Sequence, residues 1–437
     1  MKSKSKLVIL GGGLAGLSAA YHSGGTIYEK EDKPGGLCRS EHLGRYTFDR
    51  GSHIFHGRDA YVLRLLETVL GIRFKIQLRS CWIFSHGVYT KYPFQVNTYG
   101  LPENIVRDCV RGFIYARNRP KNRNFDNYRD WIYSTFGRGI AEHFYIPHSE
   151  KFWTIPVEEM TTDWLDVRVP IPKLEDVIRG AISYKTKEFG PNAEFRYPEK
   201  GGIEHLSQGF LTKELEISLE KEAVSIDTDS KTIEFSDGEK ISYGTLISTV
   251  PIPELIRLIG DAPLEIQKKT KSLRCNSIFC IYMGIKRENL NDKHWLYFPE
   301  NEFPFFRVSF PMNLSPSSAP KKRSSILAEV PYSIYRPIDK YKIMDNVIEA
   351  LIRVKVLQRS DRIEKVHSYD IKYGYPIYDH SRGENVSLVE RYVKEKRILL
   401  AGRYGRWEYQ WMHDAILDGK RVAEEAKKLK PDYAYDE

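Results

Sequence analysis

The sequence predicts an α/β fold in which a discontinuous dinucleotide-binding domain is interrupted by a mostly helical segment and a strand-rich one. Three observations lead there. A short apolar strand runs into a glycine loop and a helix near residue 7; a second strand, glycine and helix stand near residue 400; helical periodicity followed by strand alternation fills the interval. The 437 residues suffice for two or three domains around a substantial core. The expected division is 1–65, 197–255 and 395–430 for the dinucleotide-binding domain, 66–196 for a mostly helical domain, 256–394 for a β-sheet domain and 431–437 for a tail.

LVIL at 7–10 has the apolar pattern of a buried strand and passes directly into GGGLAGLSAAYHS, which places Gly11, Gly13 and Gly16 in GxGxxG spacing. Gly11 permits the tight turn, Gly13 lets backbone approach a pyrophosphate, and Gly16 lets the following helix pack closely with its amide end toward the phosphates. TIYE then ends on Glu29, positioned to accept hydrogen bonds from a ribose. Because Glu29 follows Gly11 by less than the usual interval, the helix between them is expected to be about one turn short.

The next stretch, 34-PGGLCRS-40, resembles the second glycine motif of amine-oxidase-like flavoproteins, with Gly35, Gly36 and Leu37 beside the phosphates. That resemblance favours FAD over NAD and makes the expected domain a Rossmann-like, FAD-binding one of the glutathione-reductase and amine-oxidase kind. In the same comparison, 46-YTFDRGSHIFHG-57 carries the chain to the flavin ring, with His53 beside it. Taken alone, His53 and His56 read as hydrogen-bonded structural histidines.

From 61 to 195 the pattern is helical, with Tyr128, Ile132, Phe136, Ile140 and Phe144 forming an i,i+4 stripe that reads as a core face. A hairpin, CWIFSHGVYTKY, is expected to turn at His86-Gly87. Residues 222–250 alternate around Asp-Gly turns as a meander returning to the parallel sheet. SIFCIYMGI and SILAEV mark strands between 275 and 376, and ILLAGRYG at 398–405 with AILDGKRVAEEAKKL closes the cofactor domain. One stretch, HWLYFPENEFPFFRVSF at 294–310, strings aromatic residues together and reaches a single Arg307. By itself it reads as a strand and turn with core aromatics.

Composition narrows the function classes. With 28 Tyr, 20 Phe and 7 Trp, the chain favours flat ligands, while a net charge of +9 suits an anionic small molecule, nucleic acid or a membrane surface without choosing among them. The basic residues are scattered, apart from short groups such as 117-RNRPKNR-123. The five cysteines lack CxxC or metal-ligand spacing, so no zinc site or disulfide framework is expected and the compartment reads as reducing. No apolar run approaches a membrane span, and the expected location is cytoplasmic. No internal repeat is visible, and the final PDYAYDE reads as disordered.

In order along nearly the whole chain, these segments resemble the UDP-galactopyranose mutases, flavoenzymes that interconvert pyranose and furanose forms of a sugar nucleotide, and resemble the fungal and protozoal kind most. KYPFQVN is similar to the motif that holds the uracil, which implies substrate contacts from Tyr92, Phe94 and Gln95; Arg79 keeps the spacing of a residue associated with reduced nicotinamide. IPHSEKFWTIPVEEMTTDWLDVRV implies Ser149 and Trp153 in the nucleotide pocket and Arg168 as the first diphosphate arginine. EFGPNAEFRYPEKGG at 188–202 resembles a further signature. The 294–310 stretch implies Trp295 and Tyr297 lining the substrate pocket and Arg307 as the second diphosphate arginine. Tyr375 and Tyr409 match phosphate positions; Gly402, Arg403 and Asp414 match cofactor positions.

The resemblance implies reduced FAD as cofactor, NADPH or NADH as reductant, and a UDP- or dTDP-hexose as partner, with no nucleic acid and with room for a homo-oligomer. Its implied reaction, UDP-galactose being the first candidate, is attack of flavin nitrogen 5 on the anomeric carbon, departure of the nucleoside diphosphate, and ring opening and reclosure without net redox change. Arg168, Arg307 and His53 would be the catalytic side chains, which agrees with the lack of a Ser/His/Asp or Cys/His arrangement. Ser149, Leu314 and His413 depart from the family pattern, at positions of an asparagine, a phosphate-binding tyrosine and another polar residue. Two other readings stay open: an amine oxidase or desaturase-like oxidoreductase on the same scaffold, and a flavin-bound protein without catalysis.

Overall fold

The computed structural model describes residues 7–118, 125–165, 168–184 and 193–429. Most of the 117–123 basic group, the start of the 188–202 signature and the 431–437 tail lie outside them. The cofactor sheet is five-stranded and parallel, in the spatial order Ile398–Leu400, Thr245–Ser248, Leu7–Leu10, Thr26–Tyr28, Ile217–Ser218. Its central strands are apolar because both faces are covered, one by helices Leu14–Ser23 and Met412–Lys428 and the other by the 223–242 meander with helices Ile252–Ile259 and Arg382–Glu395. The helix after the glycine loop has ten residues, Leu14–Ser23, ending at Gly24 with φ 72°. It packs on the closing helix, Met412–Lys428, where the Ser18 hydroxyl donates to the Ile416 carbonyl at 2.6 Å. The meander appears as Ala223–Asp227, Thr232–Phe235 and Lys240–Ser242.

A second sheet has seven strands in the order Ile363–Ile371, Ser277–Ile285, Ser324–Tyr332, Arg307–Ser309, Trp295–Tyr297, Cys81–Ser85, Val88–Lys91. The last two form the hairpin, whose His86 and Gly87 both have positive φ, 51° and 79°. This hairpin comes from the otherwise helical segment and enters the sheet through a parallel pairing of Cys81–Ser85 with Trp295–Tyr297. Around it stand the helices Glu103–Arg117, Tyr128–Ile140, Ile146–Trp153 and Leu174–Ile182. The stripe from Tyr128 to Phe144 is at most 3% exposed, so it is core.

The aromatic stretch divides between the two faces of this sheet. Leu296, Phe298, Phe303, Phe305 and Val308 fill one core with Ile326 and Val347, whereas Tyr297 and Phe306 turn to the opposite face. All five cysteines are free thiols. Among the described residues, no helix is long and apolar enough to cross a membrane.

Candidate active site

The glycine cradle is fixed by close backbone approaches and by the Glu29 carboxylate. Gly11 has φ 96°, and a Cβ there would stand 2.2 Å from the Thr249 hydroxyl oxygen; a Cβ on Gly16 would stand 1.9 Å from the Gly11 carbonyl oxygen. The two glycine motifs meet, since Gly35 N–H donates to the Gly12 carbonyl at 2.7 Å and Gly13 bridges to Gly35. Glu29 ends the second strand buried, with its carboxylate accepting from Gly12 N–H at 2.6 Å and Glu31 N–H at 2.9 Å. A Cβ on Gly13 would meet no atom within 4 Å, so the backbone faces open space. A helix N-terminus without a side-chain cap, room beside Gly13 and an acid at the strand end are what a dinucleotide needs. The cradle therefore fits FAD.

Beyond it lies an alternating row of arginines and aromatic rings. The Arg168 guanidinium stands 5.0 Å from both the Tyr409 and Trp411 rings, and Arg403 stands 5.6 Å from Tyr409 and 5.0 Å from Tyr375. Arg307 stands 5.2 Å from the Phe306 ring, which Phe152 links to Tyr375, and its charge is felt by Tyr375 and Tyr297. Trp153, 1% exposed, packs against Tyr375 and Tyr409, while Tyr92 meets Tyr297 at 5.4 Å and carries Arg79 over its ring at 4.8 Å. The distant segments named in sequence thus converge on one wall. Burial raises the Tyr297 and Tyr375 phenols above the ordinary tyrosine value, so both remain neutral donors.

Charge on this wall depends on a residue that the sequence reading missed. Tyr297, Arg307 and Glu329 are directly opposed on three neighbouring strands, so their side chains share one face. Glu329 is 3% exposed and takes both arms of the Arg307 fork, Nε to Oε2 and Nη2 to Oε1 at 2.8 Å. Ser52 closes the group: its N–H donates to Glu329 at 3.2 Å and its carbonyl accepts from Arg307 at 3.2 Å. The expected diphosphate fork is therefore engaged by a carboxylate. Burial opposes the Arg307 charge, but Glu329 more than restores it and holds the guanidinium protonated. In SILAEV the glutamate looks like an ordinary outward strand residue; only register reveals it.

His53 follows Ser52. Its Nδ1 donates to the Gly51 carbonyl at 3.0 Å, which leaves Nε2 as an acceptor, and burial together with Arg403 and Arg307 lowers its pKa to about 4. It is a neutral acceptor near pH 7. His56, against Trp411 at 4.4 Å, is lowered to about 4 by burial and His413, and neither ring nitrogen finds a hydrogen-bond partner among the described residues. His148, on the same helix as Trp153, is lowered to about 3 by burial, Lys151 and Arg307.

Other expected residues have mainly packing roles here. Phe94 is fully buried and stacks on Phe144 at 5.0 Å, which makes it core. Gln95 donates to the Pro170 carbonyl at 3.0 Å, and its Oε1 has no partner among the described residues. Ser149 meets the Tyr128 hydroxyl at 3.3 Å. Trp295 is 5% exposed beside Phe195, in the core that also takes in Leu314. Asp414 accepts from Trp411 N–H at 2.8 Å and so caps the closing helix, with His413 at 3.3 Å. Gly402, φ 79°, donates to buried Asp418 at 2.7 Å, Leu37 packs near Phe48, and Arg403 donates to the Gln410 carbonyl at 3.0 Å. Arg168, Tyr409, Gln410 and Asp414 border an open cleft of about 640 Å³ that adjoins the row.

Comparison with known proteins agrees with this geometry. Residues 9–69 match the NAD(P)-binding Rossmann-like domain, and residues 113–427 match the flavin containing amine oxidoreductases. The chain belongs to the flavin containing amine oxidoreductase family, and it is a flavoenzyme whose fold and cradle support FAD. Within that class it is similar to a crystal structure of reduced UDP-galactopyranose mutase, at 28% identity and a TM-score of 0.91, over 98% of this chain and 94% of the other. Fold alone is shared with a protoporphyrinogen oxidase homologue from Exiguobacterium sp. (17% identity, TM-score 0.73, 97% and 98% covered) and with putrescine oxidase bound to putrescine (14%, 0.68, 97% and 99%). An uncharacterized protein in the nifH2 3' region of Methanothermococcus thermolithotrophicus is 42% identical over 67 residues, 14% of this chain and 66% of that relative, just under two thirds of its length.

Proposed function

We propose that this flavoenzyme is an isomerase that interconverts the pyranose and furanose forms of a sugar nucleotide, with UDP-galactose as its substrate. The observation that carries the reading is the row in which Tyr409 lies between Arg168 and Arg403 and Tyr375 lies beside Arg403, with Arg307 reaching Tyr375 through Phe306 and Phe152. A diphosphate brings about two negative charges, and burying them is costly unless cations and neutral donors converge. Three fixed cations, with the Tyr297 and Tyr375 phenols held neutral by burial, meet that need. Likeness to a reduced mutase over nearly the full chain supports the same reading.

Within it, reduced FAD supplies the nucleophile for the anomeric carbon. The protein's task is to hold the departing diphosphate and return it. Among the described residues, Arg168 donates to the Trp164 and Tyr409 carbonyls and Arg403 to that of Gln410, with no carboxylate paired to either, and so they offer the stronger anion contacts. Arg307, paired with Glu329, contributes direction more than net charge. Tyr297 and Tyr375 donate to phosphate oxygens, and Trp153 and Phe152 keep water from the wall. His53 accepts at neutral pH and is no proton source.

A second reading has its own support. The Arg307–Glu329 pair neutralises part of the wall internally, as a site for an uncharged or cationic substrate would require, and the family includes amine oxidoreductases. One experiment separates the two. FAD-loaded protein, reduced anaerobically with dithionite, is incubated with UDP-galactofuranose and the products are chromatographed, with oxidised protein as control. Conversion to UDP-galactopyranose in the reduced state alone supports the isomerase. No conversion and no UDP binding, with flavin reduction by an amine or a porphyrinogen-like donor, selects the oxidoreductase.

A further inference from the structure

Two walls of the proposed cleft come from different parts of the fold. Helix Ile146–Trp153 brings His148, Ser149 and Trp153; strands Trp295–Tyr297 and Arg307–Ser309 bring Tyr297, Phe306 and Arg307. Lys151 joins them. It is 0% exposed, and its Nζ donates to the carbonyls of Phe298 at 2.7 Å, Glu300, and Phe305 at 3.4 Å. All three acceptors belong to the turn between the two strands. An ammonium has three N–H donors, so the turn uses every one. In place of hydration the buried cation has a ring of carbonyl dipoles, and a hydrocarbon side chain could not hold the same backbone.

We propose that Lys151 is a positioning residue that sets the spacing between the Ser149–Trp153 helix and the Tyr297–Arg307 turn, and that it does so only while protonated. The inference rests on the sugar-nucleotide reading above for its ligand, but not for its geometry. Facing Lys151 are His148 on its own helix, Glu300 and Glu302 on the turn, and Arg336 from the segment after strand Ser324–Tyr332, which Glu150 also faces. Burial and then Arg336 lower the lysine to about 7, against the opposing pull of Glu300 and Glu302. His148, at about 3, stays neutral throughout the neutral range. When Lys151 loses its proton, two donors and a lone pair face three carbonyls. One carbonyl is then repelled, and the turn loosens.

The test uses the FAD-loaded full chain, with calorimetric binding of UDP-galactose between about pH 6 and about pH 8.5, where that ligand's own charge is constant. Wild-type affinity is expected to fall about tenfold across the range; Lys151→Arg stays level, and Lys151→Met is level and weak. A flat wild-type profile, or a Lys151→Met protein that keeps wild-type affinity and pH dependence, overturns the proposal. Hydrogen exchange of residues 295–310 without ligand, comparing the Met and Arg variants at one pH and equal flavin content, covers the other case. If UDP-galactose binds no form, the sugar-nucleotide reading fails while exchange still decides Lys151. Faster exchange in the Met variant supports it, and equal protection overturns it.

Discussion

The glycine cradle at residues 11–36 and the arginine–aromatic row from Tyr297 to Tyr409 both face phosphate in the proposed reading, and they do so by opposite means. In the cradle, partial charge comes from backbone amides whose direction is set by φ angles and close contacts, and no side-chain cation faces the phosphates in that reading. In the row, full charge sits on side chains whose effect depends on what they are paired with: backbone carbonyls for Arg168 and Arg403, the Glu329 carboxylate for Arg307. A cradle is damaged by adding an atom. A charged row is changed by altering a neighbour that never touches the ligand.

The sharpest way to break this contrast is Arg307→Ala. Turnover is expected to fall about a thousandfold with FAD still bound, and stability to drop by roughly 4 kcal/mol because Glu329 is left buried without its partner; steady-state kinetics, flavin absorbance and urea unfolding read the three quantities. An active, equally stable variant would remove the row from the mechanism. Acid should come next. His53, His56 and His148 have folded pKa values of about 4, 4 and 3 against 6.5 unfolded, so the folded state binds fewer protons and stability is lost as pH falls from 6.5 toward those values. Each group contributes on the order of 3 kcal/mol at full development. Asp49, raised by burial to about 6, works in the opposite sense, as does Glu150, also raised by burial, but the three histidines outweigh them. Melting temperatures across this window should therefore decline, while activity between pH 6 and 8 shows no histidine titration.

A smaller effect belongs to the cradle. Gly11→Ala must accept both a strained φ and the Thr249 contact, and should weaken FAD binding by about 2 kcal/mol, measured by flavin release, while UDP binding changes little. Loss of both together would show that the two regions are one unit. The smallest effect is the most diagnostic. Glu329→Gln keeps hydrogen bonding to Arg307 but removes the opposing charge, so UDP should bind more tightly, by about 1 kcal/mol. Unchanged or weaker binding would mean that orientation of the guanidinium matters more than its net charge.

The same contrast governs what could be read in advance. Gly11, Gly13, Gly16, the paired Gly35–Gly36 and the His86-Gly87 turn were legible because backbone geometry is dictated within a few residues. Arg168, Arg307, Tyr375 and Tyr409 were named through resemblance, and the fold does bring them together. Their partners were hidden. Glu329 alternates like any strand residue, and Lys151 looks like a solvated position on an amphipathic helix until a turn about 150 residues later is folded over it. Phe94 shows the reverse: an aromatic in a ligand-like motif stands fully buried, stacked on Phe144 in the core. Local conformation is written locally, whereas the charge state of a buried side chain is a property of the assembled neighbours.

The order of strands in the parallel sheet also bears on how the protein is made. Strand Leu7–Leu10, with the glycine loop, leaves the ribosome first; its sheet neighbour Thr245–Ser248 follows much later, and Ile398–Leu400 with Gly402 comes nearly at the end. Until then the early strand has an unpaired edge and the loop lacks its closing wall. A chain interrupted before residue 398 therefore holds every glycine of the nucleotide motif without the strand that completes its sheet.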